Sequence, residues 1–244
     1  MPGSPSWASL SVALTGTSEH VAHLVLLPSP LLGPAVWAPV ADRLAARAWS
    51  VSVARLDGPV RSPDDVLRGF GAELPDRDAV LVAHSNAGLY VAALATVRTV
   101  TGVVFVDAGL PSKYPVTPTA PPAFRERLGG LADEDGLLPP WTRWWPAAEV
   151  AALFPDPVTR VGVEDEQRRL PLSYFDAEVP SPSGWQSVPS AYLAFGDTYA
   201  EERAEATRRG WPVQTLEGEH LHMLMDPDQV ADALRLLLVR LGLG

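Results

Sequence analysis

Two rhythms alternate along this chain. Short, nearly continuous apolar runs stop at Pro, Asp, His, Gly or Glu, and between them apolar residues recur at helical spacing. The runs are His23–Leu27, Val51–Leu56, Ala79–Ala83, Val103–Val106, Ala191–Phe195 and Val213–Leu216. Unbroken apolar character suits strands buried on both faces. Helical spacing joins Trp37, Val40, Leu44 and Ala45 in one segment, and Val230, Leu234, Leu237, Leu238 and Leu241 in the last. Pro63–Phe70 reads as a helix with Ser62 as its cap and Pro63 in its first turn. Glu201–Arg209 reads as a polar, exposed helix closed by Gly210. Strands alternating with helices predict an α/β fold, a doubly wound and mostly parallel sheet with right-handed crossovers. Leu10–Leu14 suits an edge strand.

The rhythm breaks between residues 111 and 188. Pro111–Pro122 is too proline-rich to hold regular structure for long. Helical pieces follow at Ala123–Leu131, Trp141–Trp145, Glu149–Leu153 and Pro157–Arg169, and Pro180–Pro189 reads as a linker. Residues 111–188 are therefore expected to be a helical lid inserted into one core domain made of residues 1–110 and 189–244. Trp141, Trp144 and Trp145 cluster there with Leu138 and Phe154. They suit a small helical core or an aromatic wall facing a ligand, and a segment capping the sheet accommodates both.

Composition narrows the function classes. A chain of 244 residues, 47% hydrophobic, is long enough to bury a large single core. A net charge of −10 argues against nucleic acid as a partner. No apolar run reaches the roughly 18 residues of a membrane helix. The start, Met1–Trp7, lacks a signal peptide's basic patch and apolar core, which makes the cytoplasm the expected location. There is no cysteine, so no disulfide frame, thiolate metal site or cysteine nucleophile exists. The histidines have no carboxylate set at ligand spacing, and no glycine-rich dinucleotide loop follows the first strand. Neither a metal nor a cofactor is implied, and the expected partner is a small-molecule substrate. Lys113 is the single lysine, a composition of high-GC bacterial coding.

One stretch carries the candidate chemistry. Ala79–Ala95 passes from a strand pattern through Ala83-His84-Ser85-Asn86-Ala87 into a helix pattern. Small residues on either side of Ser85 allow a sharp strand-to-helix turn that exposes a serine hydroxyl at the sheet's carboxyl edge. The same pattern also suits an ordinary strand-turn-helix whose polar residue caps the helix. Serine is a weak nucleophile that needs a base, itself oriented by a third group. Asp197 and His220 follow the last two strands, and parallel strands bring their carboxyl ends to one edge.

With these residues in the order Ser85, Asp197, His220, the chain resembles the α/β-hydrolase fold, closest in layout to its small esterase and hydroxynitrile-lyase-like branch. The resemblance covers about residues 21–110 and 190–242. It rests on Leu26-Leu-Pro28 through Trp37, on Ala83–Ala87, and on Gly218–Pro227, where His220 precedes Pro227 by seven residues as the family's histidine does. It implies Ser85 as nucleophile, His220 as base and Asp197 as acid, with Asp107, at the end of the preceding strand, as the alternative acid. His222 is read as a second pocket or packing residue, together with Ser29, Trp141, Trp144 and Trp145 around the substrate. His84 is read as structural beneath the turn; His20 and His23 have no evident role.

The resemblance also places an oxyanion hole at the Asn86 N–H and at a loop position aligned with Pro30, which has no N–H. Leu31 can donate if the loop shifts, Ser29 can substitute through its side chain, the register can differ by one, or the reaction needs no second donor. Two enzyme readings follow. One is a serine hydrolase of a small ester, thioester or lactone. The other is a lyase, dehydratase or cyclase of specialised metabolism using His and Asp as acid–base groups. A third is a binding protein on a retired hydrolase scaffold.

Overall fold

The computed structural model describes residues 22–76 and 78–244. The expected strand at Leu10–Leu14 and His20 lie outside the described residues. β1 (His23–Leu27), β2 (Val51–Val53), β3 (Ala79–His84) and β4 (Val100–Val106) build the first part of the sheet. α1 (Ala38–Ala46), α2 (Pro63–Glu73) and α3 (Val91–Val97) connect them. α1 follows from its two-sided pattern: Val40 and Leu44 are buried while its other face meets water. At the start of α2 the Asp65 carboxylate accepts the Ser62 N–H (3.0 Å), satisfying a donor that the helix leaves open.

β2 is shorter than its sequence pattern suggests. It is an edge strand, half-buried throughout, and its ladder with β1 ends where Ala54 N–H donates to the Leu26 carbonyl. Beyond it, the Leu56 and Gly58 carbonyls accept from the Arg168 guanidinium instead of from a strand.

Residues 111–188 start and end in a small antiparallel pair, β5 (Val116–Pro118) with β6 (Glu178–Pro180). β5 falls within the proline-rich stretch read as irregular; Pro118 closes it, and the pair is only three residues deep. Between the two strands lie α4 (Pro122–Gly129), α5 (Ala147–Ala151) and α6 (Pro157–Glu166). Trp144 packs its ring against Phe124 and Phe175, and Trp144 and Phe175 join the same buried cluster as the sheet.

β7 (Ser190–Phe195), α7 (Ala200–Arg208) and β8 (Val213–Leu216) return the chain to the sheet. α8 (His222–Met225), a single turn with no pattern to announce it, leads into α9 (Pro227–Arg240). Asp226 caps α9 by accepting the Gln229 N–H at 2.9 Å. All six main strands run parallel in the order β2-β1-β3-β4-β7-β8. The chain proceeds from β1 to β2, then reverses and builds outward from β3. Such a reversal opens a crevice at the carboxyl ends, the place where doubly wound sheets bind ligands. Among the described residues, no helix is long and apolar enough to cross a membrane.

Candidate active site

The turn after β3 is sharp. Ser85 has φ 58°, a left-handed conformation that a side chain adopts at a cost of about 1–3 kcal/mol. The surroundings enforce it. Gly109 N–H donates to the Ser85 carbonyl at 3.1 Å, and Ala83 and Ala87 are wholly buried on either side. Gly88 comes so close to the next turn that a Cβ there would lie 2.1 Å from the Gly109 carbonyl oxygen. The residue that cannot be enlarged is thus Gly88, three after the serine, a position that the pattern around Ala83 and Ala87 did not single out. Ser85 itself is 7% exposed.

His220 reaches this serine from beyond β8. Its Nε2 is 3.1 Å from Ser85 Oγ, and its Nδ1 is 2.7 Å from Asp107 Oδ2. The carboxylate only accepts, so Nδ1 carries the proton and Nε2 is free to accept from the Ser85 hydroxyl. Asp107 is wholly buried at the end of β4, with φ 42°. Its N–H donates to the Leu193 carbonyl (2.7 Å), and its Oδ1 accepts the Phe195 N–H (3.1 Å). The Tyr192 hydroxyl fixes the next residue, donating to the Ala108 carbonyl and accepting the Ala108 N–H.

The acid beside His220 is therefore Asp107, where the sequence ranked Asp197 first. Gly196 (φ 59°) turns the chain outward after β7, and the Asp197 side chain is 86% exposed. It meets Arg203 Nη2 of α7 at 2.9 Å.

His84 lies beneath the pair. Its Nε2–H donates to the His220 carbonyl (3.0 Å), and the two rings are 4.5 Å apart, tilted by 31°. Its Nδ1 is buried with no partner among the described residues. Burial, and then the neighbouring His220, hold its pKa well below the ordinary histidine range, so the folded protein keeps it neutral. The unfolded chain does take up a proton there. Stability is thus fully present above about pH 6.5 and falls as pH drops below it, at up to about 1.4 kcal/mol per pH unit for this one group. Urea melts at descending pH test this: His84→Gln should flatten the acid limb, and an unchanged limb would contradict the assignment.

Residues 24–233 match the model of the alpha/beta hydrolase family. The chain belongs to that family. The fold of this α/β hydrolase is similar to that of an extracellular α/β-hydrolase from a Paenibacillus species (TM-score 0.65, 14% identity, 90% of this chain and 98% of that one). It is also similar to a methylesterase from Arabidopsis (TM-score 0.59, 15% identity, 90% and 99% covered). A pyrethroid hydrolase from Sphingobium faniae gives a TM-score of 0.61 at 16% identity, with 88% and 96% covered. No curated protein sequence matches the chain significantly.

Around the serine, this α/β hydrolase distributes its remaining candidates unevenly. Asn86 is the second residue of the turn, where a helical N–H has no partner within its own helix. Its side chain is pinned: Nδ2 donates to the Thr119 carbonyl (3.0 Å), and Oδ1 accepts the Tyr174 hydroxyl (2.7 Å), which also meets the Tyr90 hydroxyl. Pro30 occupies the second position of a turn closed by Leu32 N–H on the Ser29 carbonyl (2.9 Å), leaving Leu31 as the next N–H of that loop. Ser29 Oγ is buried without a partner among the described residues.

Of the three tryptophans, Trp141 meets the site, its ring 5.9 Å from that of His220. Trp144 is buried against Phe124 and Phe175 and donates from Nε1 to the Pro139 carbonyl. Trp145 stacks on Phe124, with the Arg127 guanidinium over its ring. His222 does not join Ser85, His220 and Asp107; its Nε2 pairs with Gln229 Oε1 (2.8 Å) and its ring lies edge-on to Phe195. Its place two residues past His220 starts α8, which turns it toward α9. Tyr199 was not anticipated. Its hydroxyl lies 3.3 Å from Ser85 Oγ, and only its position just past a strand end hinted at that.

Proposed function

We propose that this α/β hydrolase is a serine hydrolase of a small ester, thioester or lactone, with Ser85 as nucleophile, His220 as base and Asp107 as the acid that orients it. The observation that carries this reading is the continuous chain from Ser85 Oγ to His220 Nε2 (3.1 Å) and from Nδ1 to Asp107 Oδ2 (2.7 Å). Attack transfers the Ser85 proton to Nε2, and the buried carboxylate stabilises the imidazolium that forms. His220 then returns the proton to the leaving group, and water repeats the sequence on the acyl-enzyme. The Asn86 N–H and, past Pro30, the Leu31 N–H supply the oxyanion donors. Residues 111–188 act as a lid, with Trp141 forming an apolar wall of the substrate pocket. The methylesterase and the pyrethroid hydrolase among the structural neighbours agree with hydrolysis as the reaction class.

Turnover of short-chain p-nitrophenyl esters tests this. Ser85→Ala should lower kcat by about 10⁴-fold or more, and a variant that retains the wild-type rate would refute the reading.

One feature favours a second reading, a lyase, dehydratase or cyclase. Pro30 withholds the N–H that an oxyanion hole takes from this loop. In that case His220 and Asp107 serve as acid–base groups and Ser85 only hydrogen-bonds the substrate. Ester turnover that depends on Ser85 excludes it.

A further inference from the structure

Tyr199 is the polar group at the reaction centre that the Ser85–His220–Asp107 chain leaves without a task. It stands between β7 and α7, half-buried, its hydroxyl 3.3 Å from Ser85 Oγ and its ring 5.7 Å from that of His220. The direction of its hydrogen bond is fixed. The Ser85 hydroxyl spends its proton on the bare Nε2 of His220, so its oxygen accepts and Tyr199 donates. Burial pushes the Tyr199 pKa well above the ordinary phenol value, which keeps this donor protonated throughout the neutral range.

We propose that Tyr199 is a further catalytic residue, whose hydroxyl passes its hydrogen bond from Ser85 Oγ to the leaving-group oxygen of the substrate as the serine attacks. The proposal rests on the hydrolase reading. Once Ser85 Oγ bonds the acyl carbon, the two substrate oxygens on that carbon lie closer to Oγ than Tyr199 does, within reach of its hydroxyl. The sheet order decides between them. Asn86 and Leu31, the oxyanion donors, belong to the β3 turn and the β1 loop. Tyr199 comes with β7 from the opposite side of β3, the side from which His220 and Asp107 arrive. The oxygen that receives the His220 proton must face that side, and it is the leaving oxygen. In the step itself, the bond from the acyl carbon to that oxygen breaks, and the oxygen keeps the electron pair. It takes the proton that His220 Nε2 received from Ser85; Tyr199 keeps its own proton and only stabilises the developing charge. This help matters most for a basic alkoxide and least for an acidic phenolate, so the geometry fits aliphatic esters or lactones.

The test uses one acyl group with two leaving groups, ethyl butyrate and p-nitrophenyl butyrate. Tyr199→Phe should lower kcat/KM about 10²-fold for the ethyl ester and less than about threefold for the nitrophenyl ester. Equal losses on both esters, which lost packing or a lost oxyanion donor would give, overturn the proposal, and so does no loss on either. The wild-type enzyme provides a second measurement, independent of how the variant folds. Across butyrate esters of rising leaving-group basicity its rates should decline shallowly, and a decline as steep as that of uncatalysed alkaline hydrolysis overturns the proposal. Ser85→Ala on the same esters separates the two failures. If it retains the wild-type rate, the hydrolase reading fails and takes Tyr199 with it. If it is inactive while Tyr199→Phe loses equally on both esters, only the role of Tyr199 falls.

Discussion

Asp107→Asn is expected to lower kcat by about 10³–10⁴-fold, while Asp197→Asn leaves it within about twofold. The difference follows from how Asp107 is held. Its Oδ1 accepts the Phe195 N–H and its Oδ2 faces His220 Nδ1. An asparagine keeps its oxygen on the Phe195 N–H and so presents its NH₂ to the imidazole. That group donates, which forces Nδ1 to accept and moves the ring proton to Nε2. The His220 ring then offers Ser85 a donor where a base is needed. The carboxylate of Asp197, by contrast, lies out in solvent and pairs with the half-buried Arg203, and a surface pair of that kind contributes little. Steady-state rates of the two variants on one ester distinguish the acids; an inactive Asp197→Asn beside an active Asp107→Asn would contradict the assignment.

Gly88→Ala should destabilise the fold by about 2–4 kcal/mol, lowering the melting temperature by about 5–15 °C. The added Cβ would sit 2.1 Å from the Gly109 carbonyl oxygen and 3.1 Å from the Ala108 Cβ. Neither neighbour yields easily. Ala108 is fixed on both sides by the Tyr192 hydroxyl, and Gly109 N–H is bonded to the Ser85 carbonyl. The clash therefore separates the serine turn from the turn carrying Asp107, and activity should fall below what lost folding alone explains. Calorimetry together with the specific activity of the folded fraction checks this; an unshifted melting temperature would show that the two turns are not locked together.

The architecture was largely legible because each buried parallel strand writes its own burial into the sequence. β1 and β8 span the residues that their apolar runs marked, and β3 runs through Ala79–Ala83 and one residue further, to His84. The meeting of Ser85 and His220 was legible for a related reason, since strand ends in a parallel sheet deliver side chains to one edge. Which carboxylate lies beside His220 was not. Asp107 and Asp197 both follow a strand, and only the backbone after each decides whether the carboxylate turns inward to Phe195 N–H or outward to Arg203. Gly88 escaped notice because its constraint comes from Gly109, on a different turn. Tyr199 did so because nothing local reveals which way a tyrosine past a strand end will point. The 111–188 segment gave up its helical pieces but not the β5–β6 pair at its base, whose partners are some sixty residues apart and too short for a pattern.

In the proposed reading the hydroxyl of Ser85 is activated by His220 as Asp107 holds it. Reaction with a fluorophosphonate, followed by mass spectrometry of the digested protein, tests this most directly. Phosphonylation should fall on the peptide containing Ser85, proceed at an undiminished rate in Asp197→Asn and slow by orders of magnitude in Asp107→Asn. A protein that stays unlabelled, or one labelled equally fast whichever aspartate is replaced, would contradict the account.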